Sequence, residues 1–327
     1  MRNTNRFVWL LCLVAFFCLL LPQNCPAPLI WRKGEGWTYE REGTTTANNP
    51  KDQLALAKKY QSKKEYDRAV SAFRRVIAKW PTSLAAQDAR MGLAESLSEL
   101  GYYYKSYKEY QNLITKNPNS PYFDTAINRQ FEIGNLFLGG EKIKVWRFRI
   151  FSGLSKAGEI FEQIVKNAPY SSVGPPSQFR IGLVLEKEKD FLAAVHAYEK
   201  LLERYPNDPL AEDAQLQIGL AYYKEAQHAE YDQNAANQSI AALTDFVLRY
   251  PSSKKVARAG EIRAELKQDQ SRGLFQIAKF YQKRKDYKAA MIYYNEVIEK
   301  NPRSAWANSA QKEITRLVAL KETTNIQ

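Results

Sequence analysis

The chain's whole stock of soft metal ligands and strong nucleophiles is two histidines, His196 and His228, and three cysteines, Cys12, Cys18 and Cys25. Zinc sites need Cys and His clustered at short spacing. No Cys-x-x-Cys, His-Glu-x-x-His or Cys/His pair occurs. A disulfide framework needs cysteines spread through the folded region, whereas all three precede residue 26. His196 falls beside Ala194, with no acid at i−4 and no nucleophile nearby in sequence. A catalytic base would want such partners, so a structural His196 is the expectation. Gly34-x-Gly36 is too short for a phosphate loop and precedes no strand-helix unit. The residues therefore predict no catalytic site, no metal, no cofactor and no enzyme.

Composition points the same way. Of 327 residues, 45% are apolar and 25% charged, the balance of a folded protein. The length fits one large domain or a repeat array. At the amino terminus, Arg2 and Arg6 precede an uncharged stretch from Phe7 to Leu21, which Pro22, Gln23 and Asn24 break. A basic start, a short apolar run and a polar end read as a secretory signal over residues 1–27. The run is short of the roughly 20 residues that span a bilayer. Cleavage after Ala27, a lipidated Cys25 and a retained anchor are the alternatives this segment leaves open. Removing residues 1–27 takes away Arg2 and Arg6 and lowers the formal charge from +13 to +11.

Residues 28–50 form an arm with Trp31, Trp37 and Tyr39, no helical period, and a polar end at Thr44–Asn49. It reads as a linker whose aromatics dock on the first repeat, or as a partner-binding strand.

A proline then recurs in one setting: Trp80-Pro81, Asn117-Pro118, Ala168-Pro169, Tyr205-Pro206, Tyr250-Pro251 and Asn301-Pro302. Lys or Arg ends the segment before most of them, and Ser, Asn, Thr or Asp follows. Proline cannot continue a helix, a cation suits a helix C-terminus, and the short polar residue can cap the next N-terminus. Twelve residues before each proline stands a small residue: Ala69, Ser106, Ala157, Ala194, Ser239 or Ala290. Eight before it stands a large one: Phe73, Tyr110, Phe161, Tyr198, Leu243 or Tyr294. An upstream helix in each unit carries a second small residue within Leu56-Ala57, Leu93-Ala94, Ile133-Gly134, Ile181-Gly182, Ile218-Gly219 or Ile277-Ala278. These offsets share one helical face. They match the tetratricopeptide (TPR) pattern, a helix-turn-helix of about 34 residues. The predicted fold is an all-α TPR superhelical solenoid of about six repeats with insertions and a C-terminal capping helix.

The prolines are 37, 51, 37, 45 and 51 residues apart, so the longer gaps hold insertions. The expected organisation is repeats 1–5 over 51–253, with insertions near 139–155 and 227–234. A long helix running to about Arg284, repeat 6 and a capping helix fill 254–322, and 323–327 are a tail.

The last third is more specific than a generic repeat. Tyr250-Pro251-Ser252-Ser253, Ala264-Glu265-Leu266, Ile277-Ala278-Lys279-Phe280-Tyr281, Lys283-Arg284 and Tyr287 resemble the BamD family, the periplasmic TPR component of the bacterial outer-membrane β-barrel assembly machinery. The insertion near Tyr231-Asp232 is similar too. This chain departs from the family in lacking its convincing lipidation cysteine and in carrying an additional helix pair. The resemblance implies an exported, non-enzymatic scaffold at the outer membrane. Such a scaffold binds unfolded outer-membrane proteins through N-terminal repeats and docks on the β-barrel insertion subunit through C-terminal ones. The Tyr-Pro-x-x-x-x-Ala turns also resemble the TPR coordinator of the Tol-Pal system (CpoB), an alternative envelope-integrity role beside that of a generic peptide-binding adaptor.

Stacked helix pairs present an extended concave surface suited to peptides. Candidates on the first helices are Lys58, Gln61, Met91, Glu95, Phe131, Asn135, Phe179 and Leu183, with Phe131 and Phe179 favoured as aromatics off the core stripe. The positive charge does not imply nucleic acid, since no such motif occurs and the cations are spread among 35 acids. The densest exception is the first insertion, where Lys142, Lys144, Arg147 and Arg149 interleave with Trp146 and Phe148. It reads as a loop packed on the repeats or as a contact for an anionic membrane surface or acidic partner.

Overall fold

The computed structural model describes residues 29–32, 36–39, 47–145, 148–228 and 233–324. Residues 1–27, expected to be a secretory signal, with their three cysteines, and Tyr231 and Asp232 lie outside the described residues. Helices form wherever the proline-delimited pattern requires them. The first pair is α1 (Pro50–Ser62) and α2 (Tyr66–Lys79), and the second is α3 (Leu84–Glu99) and α4 (Tyr103–Lys116). The third is α5 (Phe123–Leu138) and α6 (Leu154–Asn167), and the fourth is α7 (Gly174–Lys187) and α8 (Phe191–Arg204). The fifth is α9 (Leu210–His228) and α10 (Gln233–Arg249). The sixth is the 28-residue α11 (Val256–Lys283) and α12 (Tyr287–Lys300), closed by α13 (Ala305–Thr324). This is the all-α tetratricopeptide architecture of six pairs and a closing helix. No described helix is long and apolar enough to cross a membrane.

Each boundary has a local cause. At every repeat proline the residue before it accepts a hydrogen bond from the backbone N–H three positions on. The pairs are Ser83 to Trp80, Ser120 to Asn117, Ser171 to Ala168, Asp208 to Tyr205, Ser253 to Tyr250 and Ser304 to Asn301. Proline presets the second position of such a turn. At two of these turns the polar residue that closes the turn also accepts from the start of the next helix, whereas Ser83 and Ser171 donate back to the carbonyl before the proline. Ser304 Oγ accepts from Ala307 N at 3.0 Å, and Asp208 Oδ1 from Leu210 N at 2.9 Å. Within a pair, the turn instead passes through a left-handed residue: Lys64, Gly101, Gly140, Lys189 or Lys285. The N–H after it reaches back five residues, as from Asp190 to Leu185 O at 2.9 Å and from Asp286 to Tyr281 O at 3.1 Å. That is the Schellman closure.

Packing within a pair depends on the small residue of the first helix. A methyl on Gly182 would stand 2.3 Å from the Tyr198 ring, one on Gly134 2.7 Å from Phe161, and one on Gly219 2.5 Å from Leu243. Tyr110, Phe161, Tyr198 and Tyr294 are all buried, each contributing about 1.5–3 kcal/mol of apolar transfer. Where the second helix offers serine, its hydroxyl uses the carbonyl that the close approach exposes. Ser106 Oγ donates to Ala94 O at 2.7 Å and Ser239 Oγ to Gly219 O at 2.8 Å.

The described residues divide into two compact units. One comprises Met1–Arg129 with Ile143–Phe151, the other Gln130–Lys142 with Ser152–Gln327. Two segments hold strands. In the arm, expected as a docked linker or a partner-binding strand, β1 (Leu29–Arg32) pairs antiparallel with β2 (Gly36–Tyr39), setting Trp31 opposite Trp37. The first insertion forms β3 (Lys142–Val145) and β4 (Phe148–Ser152) as a second two-stranded sheet. Its β-branched and aromatic residues suit a pleated ribbon better than a loop. The described residues of the second insertion are helical, Gln227 and His228 ending α9 and Gln233 and Asn234 opening α10.

Two substitutions test this account. Gly182→Ala forces a methyl into the Tyr198 ring and is expected to cost about 1–3 kcal/mol despite better helix propensity, read as a lowered thermal midpoint by circular dichroism. Lys285→Gly relieves a left-handed lysine and is expected to add about 0.5–1 kcal/mol, read as a raised midpoint.

Candidate functional site

The small residue of each first helix gives a register for the candidate face. Lys58, Glu95, Asn135 and Leu183 follow it by one position, and Gln61 follows by four. Met91, Phe131 and Phe179 precede it by three, as do Leu54, Leu216 and Phe275. That last register is core. Leu54, Met91, Leu216 and Phe275 are buried, and Phe131 and Phe179 are half-buried. Phe131 sits edge-on to Phe161, centroids 5.7 Å apart, and Phe179 tilts over Tyr198 at 5.3 Å. Met91, at 7% exposure, lines no open surface. The two phenylalanines are therefore not off the core stripe as expected. Three residues is nearly a full helical turn, so the position before the small residue shares its face.

In the first unit the remaining candidates are tied to one another. Lys58 Nζ lies 3.1 Å from Asp88 Oδ2, and Tyr122 donates its hydroxyl to Asp88 Oδ1 at 2.9 Å. Gln61 Nε2 donates to Glu95 Oε2 at 2.9 Å. The Asp88 carboxylate, with burial behind it, raises the Tyr122 hydroxyl above its ordinary range. Asp88 and Tyr122 were missed by the sequence reading. Asp88 was findable, because 88, 91 and 95 lie at the three- and four-residue spacing of one helical face.

The register four after the small residue has a second role. Gln61 reaches from α1 to Glu95 on α3, and Glu186 on α7 pairs with Lys224 on α9. Tyr223 on α9 donates to Glu265 on α11 at 2.9 Å, and Gln282 on α11 donates to Glu313 on α13 at 3.0 Å. At Gln61, Glu186, Tyr223 and Gln282 this position joins a first helix to the helix two further along. Glu186 also accepts the Tyr198 hydroxyl at 2.9 Å. Burial first, and the Glu186 charge second, hold Tyr198 far above the ordinary tyrosine range. Asn135 and Leu183 are half-buried, and Leu183 packs against the buried cluster around Tyr198.

In the basic insertion, Trp146 and Arg147 lie outside the described residues. Lys142 and Phe148 are exposed. Lys144 is not a free surface cation. Its Nζ donates to the Leu100 carbonyl at the end of α3 at 2.7 Å and lies 4.5 Å from the Tyr102 ring. Lys105 Nζ approaches the same ring at 4.8 Å. Burial and the neighbouring Arg74 charge lower its pKa.

His196 is exposed, its Nδ1 3.0 Å from Glu199 Oε2. No described group of three or more His, Cys, Asp or Glu could hold a metal ion. The last pair offers a different surface. Phe280 is half exposed, with the Arg284 guanidinium 4.7 Å above its ring. Beside it Tyr281 stacks on Tyr293 at 5.5 Å. These faces present aromatic edges, carboxylates and cations.

Comparison with known proteins places family likeness on the same segments. Residues 225–323 match the family model described as outer membrane lipoprotein (YfiO). Residues 177–208 and 54–121 match tetratricopeptide repeat models. The chain is 26% identical over 148 residues to the outer membrane protein assembly factor BamD of Caulobacter vibrioides. That stretch is 45% of this chain and 48% of the relative, so the chain spans about half the length of the curated relative it matches. Among solved structures, it is similar to part of a TPR repeat-containing protein from Cytophaga hutchinsonii, at 16% identity and TM-score 0.37, covering 81% of this chain and 88% of that one. It is also similar to YrrB, a TPR protein with an unusual peptide-binding site, at 13% identity and TM-score 0.32, covering 74% and 99%.

One substitution pair separates packing from surface on the candidate face. Phe179→Ala is expected to lose about 3 kcal/mol, the cost of emptying an aromatic site, whereas Lys58→Ala should stay within about 0.5 kcal/mol as an exposed pair. Thermal melts of both variants read the difference.

Proposed function

We propose that this protein is a non-enzymatic scaffold of the bacterial envelope. It is exported, works at the outer membrane, holds unfolded outer-membrane proteins on its first-helix faces and docks on the β-barrel insertion machinery. The observation that carries the reading is the position of the family match. Residues 225–323 cover the end of α9 through α13, the segment whose sequence is more than generic repeat. The same segment carries the Phe280–Arg284 edge, an exposed aromatic and cation of the kind enriched at interfaces.

The peptide-holding half of the proposal uses Lys58, Glu95, Asn135 and Leu183, with the half-buried rims of Phe131 and Phe179 as apolar walls. An extended chain with alternating apolar residues can lay one side chain against each such wall while its backbone meets the polar residues between them. Gln61 acts chiefly as an inter-repeat tie.

Crosslinking in intact envelopes followed by pull-down of the full chain tests the assignment. Recovery of the barrel-inserting subunit is expected, falling severalfold for Phe280→Ala with Arg284→Ala. Recovery of Tol-Pal proteins in its place would overturn it.

A further inference from the structure

The β3–β4 hairpin is left over by the peptide-holding and docking roles. It interrupts the third pair, between its two helices, and its chemistry is unlike that of the helices. From Lys142 to Gly158 the sequence holds no acid, while Lys142, Lys144, Arg147, Arg149 and Lys156 are basic. Lys156 is spent on Glu159 at 2.6 Å. Phe148 and Phe151 are 61% and 58% exposed, although the large rings of the repeat cores are buried.

We propose that the hairpin is a docking element for an anionic lipid surface. The first support is the combination of the exposed Phe148 and Phe151 rings and the exposed Lys142 with a basic stretch that holds no acid in its sequence. Aromatic side chains enter the interfacial layer of a bilayer while cations meet the headgroups. A purely basic loop would need no exposed phenylalanines, and a purely apolar one would need no cations.

The second support is that the hairpin is held in place. Lys144 is bonded to the Leu100 carbonyl, at the negative end of α3, and stands over Tyr102. Lys105 adds its charge at the same ring. An element fixed at its root loses less freedom on docking than a free loop does. The two lysines at Tyr102 also add positive potential at that root.

An acidic extended peptide is the competing occupant, since each strand of a two-stranded sheet has a free edge. Strand addition uses backbone groups, however, and would leave both phenylalanine rings unburied. Exposed rings with no acid among them favour the lipid surface.

This inference is independent of the assembly role, and its test is local. Hydrogen exchange of the 142–152 amides is followed in the full chain with vesicles of phosphatidylglycerol and phosphatidylcholine, and with phosphatidylcholine alone. Exchange is expected to slow only with the anionic vesicles, and to recover in high salt, which screens headgroup attraction. Following these amides separates the hairpin from any vesicle binding by residues 1–28. In co-sedimentation, Lys142→Gln is expected to lower partition about fivefold and Phe148→Ser with Phe151→Ser about tenfold or more. Unchanged exchange with anionic vesicles, or slowing by an acidic peptide alone, overturns the proposal. Loss of envelope pull-down with vesicle protection intact would remove the assembly reading and leave this one standing.

Discussion

The close approach of two helices at a small residue governs this architecture. Gly134, Gly182 and Gly219 leave room that Phe161, Tyr198 and Leu243 fill, and a single methyl would collide. Close packing makes such a contact intolerant of added volume. It also exposes a backbone carbonyl of the first helix, which the second helix satisfies with serine at Ser106 and Ser239. Each core is then completed by the helix that follows the pair, as Ala89, Leu93 and Leu97 complete the cluster around Phe73, so stability accumulates through neighbouring repeats.

What the first helices can offer a partner follows from that contact. The register three before the small residue is consumed by the core. The register four after it is consumed by ties between consecutive pairs, from Gln61–Glu95 to Gln282–Glu313. Between these registers lie Asn135, which is half-buried, and Lys58, whose ammonium meets Asp88 of the next pair.

The fold was legible from the sequence because its cause is local and periodic. Proline positions mark the turns, and the offsets to small and large residues mark the shared faces. The closing residue of the turn is visible in the sequence as a cap, a role that Ser304 and Asp208 fill and that Ser83 and Ser171 do not. The long helix α11 was likewise legible, since no proline interrupts it and its apolar residues keep helical spacing. The site was less legible. Met91, Phe131 and Phe179 were read as off the stripe although each stands three residues before the small residue, nearly a full helical turn, so the spacing itself put them on the core face.

The sequence by itself determined the helix pairs, their boundaries and the near absence of reactive side chains, because each depends on residue type and near-neighbour spacing. Only the tertiary structure decided which polar residues are spent on other repeats. Asp88 meets Tyr122, Glu186 meets Lys224, and Lys144 leaves the basic insertion to close α3 at Leu100. These partners are separated by 34 to 44 residues in the chain, and no periodic pattern links them. Their meeting is set by how far one helix pair is shifted and turned against the next, a geometry that residue spacing within a helix does not contain.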